Sequence, residues 1–227
     1  MIKFENVTKK YGDGPAILKN VDLDIKKGEF VSIVGTIGAG KSTLLKLIYA
    51  ELQPTSGRVY FNERPIDEIK QRLLPYFRRN IGTIFQDFKL LNNKTVFENV
   101  AYALEVFGDD EDEEIKKKTK SILDIVGLKD KADMYPNEIS GGEQQKTSLA
   151  RALIHQPLVI VADEPTGNID PVSAWEIMQL FLKINEMGTT IVLATHNKDI
   201  VDKLKKRVLV LENGKIVNDQ KKGKYVI

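Results

Sequence analysis

The sequence predicts an α/β fold, and three observations point to it. Phe30-Val31-Ser32-Ile33-Val34 is an unbroken apolar run that enters a glycine-rich loop, with a helical apolar stripe of Leu44, Leu45, Leu47 and Ile48 behind it. Residues 158–162 and 190–194 are two further apolar runs, the pattern of strands buried on both faces of a parallel sheet. Between them, residues 172–187 have helical character and stop at Gly188, so strand and helix alternate through the second half.

The remaining elements follow in order. Residues 2–7 and 18–25 alternate apolar and polar side chains, which suits strands with one exposed face. Tyr11-Gly12-Asp13-Gly14-Pro15 between them is turn chemistry. Residues 58–61 form a short strand after Pro54-Thr55-Ser56-Gly57, so the opening is mostly strands. In the middle, Asp109-Asp110-Glu111-Asp112-Glu113-Glu114 precedes Lys116-Lys117-Lys118, with acids placed for a first helical turn and Glu113–Lys117 and Glu114–Lys118 pairs four apart. Ile115, Ile122, Leu123 and Val126 supply the buried face of that helix, whose charged end reads as solvated. His155 falls within an apparent helix after Leu153-Ile154 and reads as structural. Residues 207–211 and 215–217, joined through Asn213-Gly214, read as a hairpin with a type I′ turn.

The chain has 227 residues, enough for one large domain or a core with a subdomain. Its 34 Lys and Arg against 32 Asp and Glu argue against a broad basic face for nucleic acid. Cysteine is absent, which excludes disulfides and thiolate metal sites and suits a reducing compartment. No apolar run approaches the roughly 20 residues of a membrane span, and the start, Met1-Ile2-Lys3-Phe4-Glu5, lacks a signal-peptide core. The expectation is a soluble chain whose membrane role requires a partner. Lys221-Lys222-Gly223-Lys224 could touch anionic lipid or form a solvated tail.

Gly35-Thr36-Ile37-Gly38-Ala39-Gly40-Lys41-Ser42 fits the G-x-x-x-x-G-K-[ST] phosphate loop. Its glycines let backbone N–H groups turn toward phosphates, and the following helix adds its positive end. Lys41 would reach the β- and γ-phosphates and Ser42 would ligate Mg²⁺. Asp163 and Glu164 end the apolar run 158–162, where groups at strand ends line the ligand crevice. There Asp163 would hold Mg²⁺ and Glu164 would polarise an attacking water; standing alone, the pair would read equally well as a helix N-terminal acid pair before Pro165. His196 follows the run 190–194 and suits a γ-phosphate contact. Gln86, after Ile81-Gly82-Thr83-Ile84-Phe85, could sense Mg²⁺ or the attacking water, or be a surface amide. Tyr11 could stack on adenine or be an ordinary core or surface tyrosine. Ser140-Gly141-Gly142 opens the helix carrying Leu149, Ala150, Ala152 and Leu153, either as an anion site or as a plain Ser N-cap with a glycine entry. As a second phosphate grip it has no use in a monomer; it gains one if it serves a nucleotide held by another copy.

Together these residues resemble the ATPase subunits of ABC transporters along essentially the whole chain. The resemblance implies a P-loop NTPase core with an N-terminal antiparallel β-subdomain and an inserted helical signature subdomain. The approximate division is 1–86 with 157–227 for the core and β-subdomain, and 87–156 for the helical part, within a single domain 1–227. It implies ATP and Mg²⁺ as ligands. It makes Tyr11 the adenine-stacking residue, residues 35–43 through Thr43 the Walker A loop, and Gln86 the Q-loop. Ser140-Gly141-Gly142-Glu143-Gln144 becomes the signature, residues 158–164 Walker B, Gly167-Asn168-Ile169-Asp170 the D-loop, and His196 the switch histidine. It also implies a head-to-tail homodimer with two ATP at the interface, each between Lys41 of one copy and Ser140 and Gly142 of the other.

Leu74-Pro75-Tyr76-Phe77-Arg78-Arg79-Asn80-Ile81-Gly82-Thr83-Ile84-Phe85-Gln86-Asp87-Phe88-Lys89-Leu90-Leu91, with Ser140-Gly141-Gly142-Glu143-Gln144-Gln145 and Asp163-Glu164-Pro165-Thr166-Gly167-Asn168, is similar to the FtsE branch of cell-division ATPases. That resemblance implies an integral membrane partner of the FtsX kind, seated near residues 86–91. It implies residence at the cytoplasmic face of the bacterial inner membrane at the division site, and control of cell-wall hydrolysis. Thr36-Ile37 for Pro-Ser, Ile139 and Ile169 for Leu, and Lys146 for Arg depart from the branch without removing a catalytic group. A lipoprotein-release or peptide-export ATPase is the neighbouring reading. A soluble DNA-repair or translation ATPase would carry a coiled-coil insertion or tandem cassettes, which this chain lacks, and a regulator without turnover would not need Glu164 and His196.

Overall fold

A computed structural model describes residues 1–106, 108, 111–221 and 223. Asp109, Asp110, Lys222 and Lys224, which belong to the acidic and basic runs above, lie outside the described residues. The strands are β1 (Ile2–Lys9), β2 (Leu18–Ile25), β3 (Phe30–Val34), β4 (Ser56–Phe61), β5 (Arg64–Pro65), β6 (Ile81–Ile84), β7 (Val159–Asp163), β8 (Thr190–Ala194), β9 (Arg207–Glu212) and β10 (Lys215–Gln220). The α-helices are α1 (Lys41–Ile48), α2 (Leu74–Arg78), α3 (Val96–Glu105), α4 (Asp112–Ile125), α5 (Gly141–Leu153), α6 (Pro171–Glu186) and α7 (Lys198–Leu204).

Two sheets result. The N-terminal sheet is antiparallel, in the order β2-β1-β4-β5. The larger one runs β10-β9-β3-β8-β7-β6, parallel throughout except for the β9–β10 hairpin. The alternation along the parallel strands divides the core in two. Val31, Ile33, Val159, Val161, Val192 and Ala194 pack with Leu44, Leu45, Leu47 and Ile48 of α1 and with Ile2, Phe4 and Leu18 of the antiparallel sheet. The opposite face, through Phe30, Ile160, Ala162, Ile191 and Leu193, packs on α3 to α6 through Val100, Leu123, Leu149, Ile177 and Phe181. Alternating strands 2–9 and 18–25 therefore have one buried face, while every residue of β3 and β8 is buried on both.

The hairpin turn has Asn213 at φ 48° and Gly214 at φ 80°, the two positive values a type I′ turn requires. Gly214 also accepts from the Lys19 amide at 2.8 Å, which docks the hairpin on β2. Three local readings are corrected. Glu113 pairs with Lys116 at 2.8 Å instead of Lys117, whereas Glu114–Lys118 forms as spaced, at 2.9 Å. His155 lies past the end of α5, not within the helix, and its ring bonds the Ala103 carbonyl at 2.9 Å. β4 begins at Ser56, two residues before the expected strand 58–61, because Ser56 pairs with Thr8 of β1.

Candidate functional site

Because β3, β7 and β8 are parallel neighbours, their carboxyl ends open on one edge of the sheet. Ile33 aligns with Ala194, and Ala194 with Asp163, so the loops after all three strands meet. The Thr195 amide donates to the Ile33 carbonyl at 3.1 Å and the Glu164 amide to the Ala194 carbonyl at 2.9 Å, which ties the loops together.

The loop from Gly35 to Gly40 turns on glycine. Gly38 (φ 82°) and Gly40 (φ 108°) hold left-handed conformations, and Gly40 is the N-cap of α1. A glycine cap offers no side-chain acceptor, and none bonds there, so the first-turn amides of α1 face the loop's interior. Lys41 is buried, and its ammonium donates to the carbonyls of Gly35 (2.8 Å) and Thr36 (3.2 Å). Ile37 stands at the loop tip, 95% exposed. Thr43, one turn inside, shares a 3.3 Å hydrogen bond with the hydroxyl of Tyr11, whose ring is half exposed with the Lys9 ammonium 5.6 Å from its centroid. The aromatic ring thus stands beside the phosphate loop.

Asp163 closes β7 opposite α1. Burial pushes its carboxyl above the usual aspartate range, the Glu164 charge adds to this, and a hydrogen bond with the Ser42 hydroxyl works against it. A carboxylate and a hydroxyl held together in a desolvated corner are hard oxygen donors of the kind Mg²⁺ selects, and a cation there would relieve the cost of ionising Asp163. Among the described residues no group of three or more His, Cys, Asp and Glu gathers, so the remaining ligands would be water and phosphate oxygens.

Glu164 has φ 47°, a left-handed conformation that costs a non-glycine residue about 1–3 kcal/mol and aims its side chain across the strand ends. Its carboxylate accepts from His196 Nδ1 at 2.8 Å and from the His196 amide at 3.2 Å. Glu164 is largely shielded and His196 largely exposed, so the pair presents the imidazole outward. The Glu164 carbonyl accepts from the Gly167 amide at 3.1 Å, which turns the chain into the 166–170 loop. Gln86 meets that loop: its amide donates to Asn168 Oδ1 (3.3 Å) and its carbonyl accepts from Asn168 Nδ2 (3.1 Å). Gln86 is therefore an exposed amide tied to the 166–170 loop through Asn168.

Ser140 to Glu143 lies elsewhere. Ser140 caps α5, accepting from the Glu143 amide at 3.3 Å, while Glu143 accepts from the Ser140 amide at 2.8 Å. These bonds hold the Glu143 carboxyl below its usual range. A Cβ on Gly141 would meet Ile169, Asn168 and Phe88, and one on Gly142 would sit 2.7 Å from Ser173 of α6. Those neighbours belong to the 166–173 segment and to the loop after β6, not to the 35–42 loop. So Tyr11, residues 35–43, Asp163, Glu164 and His196 converge, Gln86 borders them through Asn168, and Ser140, Gly141, Gly142 and Glu143 form a separate helix entrance.

Three residues of the helical side escaped the sequence reading. Buried Gln145 bonds the carbonyls of Pro165 and Phe85. Arg151 donates to the carbonyls of Phe88 (3.0 Å) and Lys89 (2.7 Å), two successive left-handed residues at φ 57° and 52°. Buried Asn99 holds Leu91 by both its amide groups. The loop after β6 is thus gripped from α3 and α5. Gln145 gave a signal that could have been read: with Gly142, Leu149 and Leu153 it lies on the inward stripe of α5, where a glutamine must find partners.

A family model described as ABC transporter matches residues 18–167. The chain is 50% identical to the cell division ATP-binding protein FtsE of Bacillus subtilis, over 99% of this chain and 98% of that protein. It is 47% identical to FtsE of Streptococcus pneumoniae, over 99% and 97%. A dimeric ATP-binding cassette in a post-hydrolysis state, bound to ADP and Pi, superposes with a TM-score of 0.88 at 38% identity, covering 99% of this chain and all of that one. With a two-sheet α/β core built around the Gly35 loop, and relatives of this identity spanning the full length, the chain belongs to the ABC transporter family of ATP-binding proteins.

Proposed function

We propose that this chain is the ATP-hydrolysing subunit of an FtsE-type cell-division complex, acting as a head-to-tail homodimer on an integral membrane partner of the FtsX kind. The observation that carries the catalytic half is the Glu164–His196 pair, held by β7 and β8 beside the Gly35 loop and the Ser42–Asp163 corner. No helix among the described residues is long and apolar enough to cross a membrane. In the proposal the chain works at the cytoplasmic face of the inner membrane, at the division site, through that partner.

The amides of residues 35–40 and the first turn of α1 take the ATP phosphates, with Thr36, Ile37 and Ala39 contributing backbone only. Lys41 exchanges two carbonyl partners for phosphate oxygens. Its burial makes this a short rotation of an ammonium already in place. Tyr11 offers its ring to adenine and Thr43 the hydroxyl that steadies it. Ser42, Asp163 and Gln86 would hold Mg²⁺, which supplies charge neutralisation on the phosphates. Glu164 polarises the attacking water, and His196 orients that carboxylate and reaches the γ-phosphate. For Gln86 to take part, its bond to Asn168 must open. Ser140, Gly141, Gly142 and Glu143 form the second half of the site, presented to the ATP of the partner copy, so that closure completes two sites and hydrolysis releases them. Residues 1–86 and 157–227 then act as the nucleotide-holding body, and 87–156 as the arm that carries the signature to its partner. ATP cycling in this assembly switches cell-wall hydrolysis across the membrane.

The partner is tested by affinity purification of the tagged chain from bacterial membranes with Mg²⁺-ATP. Recovery of an FtsX-type membrane protein is the expected result. A lipoprotein-release or peptide-export permease in its place would move the chain to that class.

A further inference from the structure

Gln145 has no exposed surface, and its position is unusual for an amide. It lies on α5 five residues beyond the Ser140 cap, about 7.5 Å along the helix axis. Its Nε2 donates to the Pro165 carbonyl at 2.6 Å and to the Phe85 carbonyl at 3.3 Å. Both neighbours are acceptors, so the nitrogen must face them. The Oε1 is left buried with no hydrogen-bond partner. An amide that keeps an orphan acceptor is held for what its other end does, since an apolar side chain of equal length would fill the space without that penalty.

What the other end does is specific. Pro165 directly follows Glu164, and Phe85 directly precedes Gln86. One NH₂ group therefore joins the signature helix to the residues flanking Glu164, proposed to polarise the attacking water, and Gln86, proposed to hold Mg²⁺. The Glu164 backbone is in a strained left-handed conformation, which persists only if its surroundings fix it. We propose that Gln145 is a positioning residue: it fixes Glu164 and Gln86 to α5, so that the seating of the α5 entrance on the partner's nucleotide sets the reacting geometry in the same chain. This rests on the roles proposed for Glu164 and Gln86, and it adds a path by which each site senses its neighbour.

The experiment compares Gln145→Met and Gln145→Glu with the parent chain in kcat and KM for Mg²⁺-ATP from pH 6 to 9. Equilibrium ATP binding and thermal melting are measured alongside. Gln145→Met, which lacks a donor, is expected to lose at least tenfold in kcat with ATP affinity within about twofold of the parent. Gln145→Glu donates only as the neutral acid, and burial between carbonyls favours that form. Its kcat relative to the parent is therefore highest at low pH and falls as pH rises. A Gln145→Met kcat within twofold of the parent would overturn the inference. So would a ratio for Gln145→Glu that is flat with pH, and this decides alone if the methionine variant does not fold. Glu164→Gln in the same assay separates the two levels: parental turnover there would defeat the site reading itself, whereas its loss beside normal Gln145→Met turnover would defeat only the positioning role.

Discussion

Asp163 shows how far residue chemistry here is set by neighbours. Its carboxyl is held above the ordinary value of 3.8, first by burial and then by the Glu164 charge. The folded state therefore favours the protonated form, and ionisation costs stability as pH rises above 3.8. Asp163→Asn is expected to raise the melting temperature of the nucleotide-free chain at pH 7 to 8, with the gain vanishing near and below pH 4. Thermal melts across that range check it. The same substitution should abolish the Mg²⁺ dependence of ATP binding. The convergence of Lys41, Ser42, Asp163, Glu164 and His196 was legible from motif and strand-end position alone. The left-handed Glu164 and the Gln86–Asn168 pair were not, since Glu164 is held by Ala194 and His196 of the next strand end and Gln86 meets Asn168 across 82 positions of chain.

At the scale of elements, α5 carries the most consequence. Its start was legible: a serine followed three residues later by glutamate, ahead of an apolar stripe, is a capping box, and one forms. The same pattern at Thr95 and Glu98 opens α3, an element the sequence analysis did not assign. Of the two readings of Ser140, the cap is the one that forms, and the anion-site reading belongs to the proposed partner contact. Ser140→Ala should cost about 1 kcal/mol, lowering the melting temperature by roughly 2–4 °C. Gly142 is less clean a probe than its motif suggests. A methyl group there meets Ser173 at 2.7 Å, in the same chain, and Ser173 itself bonds the Asp170 cap of α6. Gly142→Ala is expected to lower stability through this contact, and Ser173→Gly in addition should recover part of it. If the signature serves a partner copy, ATP-driven dimer formation stays lost in the double variant although its stability returns; sedimentation and melting together make the comparison.

The whole molecule arranges two unlike sheets so that the Gly35 loop, Asp163, Glu164 and His196 gather at one edge of the larger one. Alternation in β1 and β2 against continuous apolar runs in β3 and β8 separates the half-exposed antiparallel sheet from the buried parallel one. The strand order was not legible, because placing β8 between β3 and β7 depends on crossovers that leave no local mark. That order brings His196 to Glu164. One chain does not bring Ser140 to the Gly35 loop, and a second chain is proposed to supply that contact. The direct measurement is the molar mass of the Glu164→Gln variant by sedimentation equilibrium over a wide concentration range, with Mg²⁺-ATP, with Mg²⁺-ADP and without nucleotide. A dimer that forms with ATP and dissociates without it is predicted, and a protein that stays monomeric under every condition would contradict the account.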